Sequence, residues 1–223
     1  MYYLSDQIAF PHPTTVKKSG ILAIGGDLST DRLILAYNFG IYPWYNPDEP
    51  IIWWCPSPRF VIFPPKVRVP KSMNAYFNQN KFRVTFNKDF GNIIRHCQKI
   101  HRPGQDGTWL TNDMVNAYEQ LFKIGYIRSV EVWEKDDLVG GLYGVEIGKM
   151  FFGESMFSLK PNASKFGFIT LAKSLEVEGF TCIDCQQPNP YLESLGGEFI
   201  AGETFHSLLR ENRNRFALTS LKK

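Results

Sequence analysis

The stretch from residue 151 to residue 186 constrains this chain more than any other. It reads "FFGESMFS", then "NASKFGFITLAKSLEVEG", then "FTCIDCQ": an apolar strand, a capped helix ended by Gly179, and a second strand. Two strands of one sheet joined by a helix form a βαβ unit, whose crossover is expected to be right-handed and whose strands are parallel. Upstream, "RSVEVWEKDDLVGGLYGVEIGKMFFGESMFS" reads as three strands joined by tight turns at "EKDD" and "EIGK". Helices are expected around "FGNIIRHCQKI", "TNDMVNAYEQLFKIGY" and "ETFHSLLRENR", a short strand at "FRVTFN", and loops at "HRPGQDGTWL" and "QPNPYLESLGG". The fold class is therefore α+β, with a main domain over residues 64–223 behind an N-terminal subdomain over 1–63. In that subdomain "GDLSTDRLILAYNFG" is a helix capped by Ser29 or Thr30 and closed by Gly40. The next stretch, "IYPWYNPDEPIIWWCPSPRF", packs three Trp and five Pro into twenty residues and reads as a rigid loop.

Strand alternation then brings chemistry together. In "FFGESMFS" it places Phe152, Glu154, Met156 and Ser158 on one face, and in "TCIDCQ" it places Cys182, Asp184 and Gln186 on one face. Parallel neighbours would line one crevice with Glu154, Asp184 and Gln186, and ligand crevices form where strand ends diverge. Carboxylates are rarely buried without a partner, because desolvation costs more than burial returns. Two carboxylates and an amide on an apolar surface suit a cationic ligand or an amine nucleophile. The bland alternative is a hydrogen-bond network that ties the strands together.

Composition narrows the class. The chain has 223 residues, 43% of them hydrophobic and 21% charged. Its apolar runs stop short of the ~18 residues that span a bilayer. "MYYLSDQIAF" lacks the basic and apolar regions of a signal peptide, so a cytoplasmic protein without a membrane role is expected. Cys182 and Cys185 form a CxxC, but no second pair or nearby His completes a zinc set, and the run reads as a strand rather than a redox helix start. Two buried structural thiols are expected, and no metal. Lys66 to Arg102 carries nine Lys/Arg against Asp89 alone, whereas residues 103–209 hold seven basic and fifteen acidic residues. A basic segment carrying aromatics in an otherwise acidic chain suits a polyanionic partner, here a nucleic acid.

"GGDLS", "AYNFGIYPWY", "PIIWWCPSPR", "GTWLT", "SVEVW", "LVGGLYGV", "FFGESMFS", "NASK", "IDCQ" and "NPYLESLGG" follow in order between about Ile8 and Leu209. In these runs the chain resembles the leucyl/phenylalanyl-tRNA–protein transferases. The resemblance implies transfer of Leu or Phe from aminoacyl-tRNA to the N-terminal amine of proteins beginning with Arg or Lys, marking them for N-end rule degradation. It also implies a C-terminal domain similar to the GCN5-related acetyltransferase fold, with a central mixed sheet and flanking helices, acting as a monomer with no cofactor beyond the charged tRNA. By the same resemblance, Asp184 and Gln186 orient and activate the incoming amine, and Glu154 holds a cationic group. Trp44, Trp109 and Tyr118 hold the terminal adenosine. Leu142, Phe151, Gly153, Phe168, Leu171 and Leu175 surround the Leu or Phe side chain. Lys66, Arg68, Lys71, Lys81 and Arg83 meet acceptor-stem phosphates, with little sequence readout. Tyr191 stands where the family commonly has His, and Phe166 and Phe168 replace smaller residues or Leu, which narrows the expected pocket. Two rivals stay open: an acetyl-CoA-dependent acetyltransferase, which would need a Gly-rich pyrophosphate turn before "NASK", and an RNA-binding module using Trp stacking.

Overall fold

Two mixed sheets with flanking helices make up the α+β architecture of the computed structural model, which describes residues 2–16, 19–100 and 109–220. The first half carries β1 (Tyr2–Leu4), β2 (Ile21–Gly25), α1 (Thr30–Asn38), β3 (Tyr42–Pro43), β4 (Ile52–Trp54), β5 (Arg59–Ile62), α2 (Lys71–Asn78), β6 (Arg83–Phe86) and α3 (Phe90–Lys99). The second half carries α4 (Asn112–Lys123), β7 (Ile127–Glu134), β8 (Asp137–Ile147), β9 (Met150–Ser158), α5 (Ala163–Val177), β10 (Cys182–Gln186), α6 (Pro190–Ser194), β11 (Glu198–Ile200) and α7 (Gly202–Ser220). The smaller sheet runs β1-β2-β4-β3 and the larger β11-β5-β10-β9-β8-β7-β6. Within the larger sheet β9 and β10, joined by α5, are parallel, as the strand–helix–strand pattern requires.

The differences from the sequence reading are local. The Trp- and Pro-rich stretch is not all loop. Trp54 pairs with Ile21 and with Tyr42, so β3 and β4 interrupt it, with Pro47 and Pro50 between them and Pro56 and Pro58 between β4 and β5. Strand β5 pairs with β10 and β11, so a boundary at 63/64 falls behind a strand of the large sheet instead of before it. Helices α2 (eight residues) and α6 (five) and strand β11 (three) repeat their period too few times to stand out in sequence. Of the loop expected over residues 101–110, residues 101–108 lie outside the described residues.

Apolar residues pack on both faces of the large sheet. On one face α5 and α2 bury a cluster that includes Leu142, Phe151, Phe168, Leu171 and Leu175. On the other, α1, α3, α4 and α7 bury a cluster containing Tyr37, Tyr118, Phe152, Phe157 and Phe205. Leu22, Ala23 and Trp53 of the small sheet join this second cluster, so the leading segment shares its core with the rest. Each large side chain buried in this way stabilises the fold by about 1.5–3 kcal/mol.

Candidate active site

Strands β9 and β10 pair only through Met150–Phe152 and Cys182–Asp184. Past that point a cleft of about 300 Å³ opens, lined by Gly153 to Met156 on one side and Cys185 to Asn189 on the other. Both strands are irregular there. On β9 Tyr143 faces Ser155 and Gly144 faces Gly153, so Glu154 is the extra residue of a bulge. On β10 the register slips between Asp184 and Gln186, and Gln186 takes a left-handed φ of 62°. Bulges re-aim side chains beside ligand sites. The bulge corrects the expected alternation: Phe152 and Glu154 share a face, but beyond it Met156 joins Phe151 on the opposite one.

Glu154 is held by neutral donors. Its Oε1 accepts from the Tyr37 hydroxyl (2.8 Å) and from Gln186 Nε2 (2.7 Å), and its Oε2 accepts from the Tyr118 hydroxyl (2.8 Å). The two hydroxyls lie 2.8 Å apart. Burial pushes the Glu154 carboxyl up to about 7, against the pull of these donors, and the Asp184 charge adds to the rise. A carboxyl tuned to neutrality on a cleft wall is suited to exchanging a proton. Among the described residues Glu154 forms no ion pair.

Asp184 is placed differently. It is fully buried, does not line the cleft, and is gripped by Arg59 through Nε (2.8 Å) and Nη2 (2.7 Å). Arg59 also donates to the Gly40 carbonyl (2.7 Å) and lies between the rings of Tyr42 and Phe205 at 4.9 and 4.7 Å. Gly40 has φ 71°, and a Cβ there would come within 2.5 Å of the Phe205 ring, so only glycine closes α1 at this point. Asp184 Oδ1 in turn accepts the Gln186 backbone N–H (2.9 Å) and so fixes the turn that aims Gln186 at Glu154.

Of the other expected residues, Trp44 and Trp109 line the cleft, and so do Leu142, Phe151, Gly153 and Phe168. Trp44 is 39% exposed, and its carbonyl accepts the Trp54 indole N–H (2.7 Å). Tyr118 presents no ring to a ligand, because it is fully buried and only its hydroxyl reaches the site. Leu171 and Leu175 belong to the core and do not line the cleft, and Phe166 stacks on Phe77 (4.2 Å) away from it. Cys182 is buried as expected, but Cys185 is half-buried on the cleft wall. Tyr191 lies outside the cleft, with Lys165 over its ring. Neither periodicity nor motif spacing singles out Tyr37 or Arg59. The one signal for Tyr37 was a polar-tipped aromatic on the apolar face of a helix.

The basic residues Lys66, Arg68, Lys71, Lys81 and Arg83 are all exposed. Lys66 pairs with Glu198 and Lys81 with Glu134, while Arg83 lies over the Trp133 ring (5.4 Å). Their segment crosses the α5 face from the β11 edge of the sheet to the β6 edge. Among the described residues no group of three His, Cys, Asp or Glu side chains could hold a metal ion, and no helix is long and apolar enough to cross a membrane.

An α+β scaffold that opens an apolar cleft beside a carboxyl and an amide has the make-up of a ligand-binding site. Comparison with known proteins narrows the class. The pattern of the leucyl/phenylalanyl-tRNA protein transferases matches residues 61–210, and that of their N-terminal domain matches 26–57. A leucyl/phenylalanyl-tRNA–protein transferase of Flavobacterium johnsoniae is 50% identical over 94% of this chain and 99% of its own. One from Syntrophus aciditrophicus is 48% identical over 95% of this chain and 89% of its own. A solved GCN5-related N-acetyltransferase from Kribbella flavida covers 74% of this chain and 58% of its own at 12% identity and a TM-score of 0.40, too distant to bear on the site. This chain belongs to the leucyl/phenylalanyl-tRNA–protein transferase family, and its enzyme class is aminoacyltransferase.

Proposed function

We propose that this protein, acting as a cytoplasmic monomer, moves Leu or Phe from aminoacyl-tRNA to the N-terminal amine of proteins beginning with Arg or Lys, marking them for N-end rule degradation. The observation that carries the reading is one cleft that combines apolar walls, two tryptophans, and a carboxyl–amide pair where two parallel strands part. The apolar wall of Leu142, Phe151, Met156 and Phe168 takes the Leu or Phe side chain, and the discrimination is worth only about 1–3 kcal/mol per methylene. Trp44 and Trp109 hold the terminal adenosine. The exposed Lys66, Arg68, Lys71, Lys81 and Arg83 meet acceptor-stem phosphates.

An aminoacyl ester is already activated, so the protein's task is to bring ester and amine together and take up a proton. Ionised Glu154 pairs with the substrate ammonium and accepts one of its protons, while Gln186 orients the nitrogen. The amine attacks the ester carbonyl, and the bond to the ribose oxygen breaks. That oxygen takes the second nitrogen proton, and the proton on Glu154 passes to water. Asp184 contributes by holding the Gln186 turn, since Arg59 occupies both of its oxygens.

The test mixes purified protein, labelled Phe-tRNA and a peptide beginning with Arg. Label on the peptide is expected, and an N-acetylated copy of the peptide stays unlabelled. Binding of Phe-tRNA without transfer would make the chain an RNA-binding module, and a requirement for acetyl-CoA would make it an acetyltransferase.

A further inference from the structure

The Glu154 hydrogen bonds close a loop that the donors cannot fill by themselves. Three contacts of 2.8 Å join Glu154 Oε1 to the Tyr37 hydroxyl, that hydroxyl to the Tyr118 hydroxyl, and the latter to Glu154 Oε2. Each tyrosine has one hydrogen to give. With Glu154 ionised, two hydrogens serve three contacts, and one pair of buried oxygens faces each other with none between them. With Glu154 protonated, three hydrogens fill three contacts. Gln186 Nε2 donates to Oε1, which places the carboxyl hydrogen on Oε2. The chain then runs from Oε2–H to Tyr118, from Tyr118 to Tyr37, and from Tyr37 to Oε1. Both tyrosine rings are fully buried, on α1 and α4, so water does not supply the missing hydrogen.

We infer that Glu154, Tyr37 and Tyr118 form a closed ring that stores one proton, and that this ring, rather than the carboxylate alone, receives the proton released by the attacking amine. The assignment deepens the transferase reading and rests on it for the proton's source. Tyr37 and Tyr118 are then positioning residues that act through Glu154. Burial, not the hydroxyl contacts, raises the Glu154 carboxyl to about 7, near the ordinary range of an α-amine, so the ring itself rests on the count of hydrogens. Among the described residues, the other groups around it are Tyr143 on β8, Tyr42 on β3, and Asp184 on β10, whose charge is met by Arg59 on β5.

Tyr37→Phe and Tyr118→Phe each open the ring. The titration midpoint of Glu154 is followed by carboxyl infrared difference spectra against Glu154→Gln, and the acid limb of kcat against pH is measured beside it. The ring requires each variant to lower both midpoints by about one pH unit, since protonation no longer completes a hydrogen-bond circuit. If the hydroxyls were simple donors to a carboxylate, the midpoints would rise, and if they only packed the core, the melting temperature would fall with the midpoints unmoved. Either result overturns the ring. The infrared titration needs no substrate, so it decides the ring even if the wild-type protein transfers nothing, which would defeat the functional reading alone.

Discussion

Asp184 and Glu154 are both carboxylates at irregular points of adjacent parallel strands, yet their surroundings are opposite. Asp184 has a full cation on it: two bonds to Arg59, complete burial, and no face on the cleft. Glu154 has only neutral donors and lies on the cleft wall. A buried carboxylate bonded to a guanidinium has an opposite charge against it and becomes part of the frame, whereas one held by hydroxyls and an amide has none. Under the proposed mechanism the contrast separates a structural acid from a chemical one, although strand alternation treats the two as equivalent.

The comparison can be broken at either end. The largest effect is expected from Glu154→Gln, which imitates the protonated carboxyl and cannot accept a proton. It should lower kcat about 10²- to 10⁴-fold with aminoacyl-tRNA affinity kept, as read by single-turnover transfer and filter binding. Retained turnover would remove Glu154 from the proton transfer. Arg59→Met comes next, because it strands a buried charge. A loss of about 3–5 kcal/mol in urea unfolding is expected, and a loss under 1 kcal/mol would show that Asp184 does not need its partner.

The smallest effect is a difference in pH dependence. Glu154 has a pKa of about 7 in the folded protein against an ordinary carboxyl value near 4.5. The folded state therefore binds this proton more tightly, and the stability it contributes is present below about pH 4.5 and is lost as pH rises through about 7. Relative to Glu154→Gln, the wild-type protein should lose on the order of 3 kcal/mol across that window. Parallel curves for the two proteins would place the Glu154 carboxyl in its usual range.

How much was legible in the sequence follows from the range of the forces involved. The β9–α5–β10 unit, the three antiparallel strands before it and the main helices are set by local periodicity and turn residues, which neighbours in the chain carry. The motifs also placed Glu154, Gln186, Trp44 and Trp109 at the cleft. The family resemblance points to the Tyr118 ring, yet its hydroxyl is what reaches the site, because burial is decided by which helix packs where. Leu171 and Leu175 are apolar at the right spacing, but that spacing serves core and pocket equally.

The sequence by itself determined the βαβ frame, the basic stretch and the presence of two acids near the strand ends. Only the tertiary structure decided which acid is neutralised, since Arg59 lies 125 residues from Asp184 and Tyr37 lies 117 from Glu154. The register slip at Glu154 is likewise a matter of pairing with β8. Charge pairing and desolvation depend on distance in space, and no pattern within one segment encodes what a remote segment will bring against it.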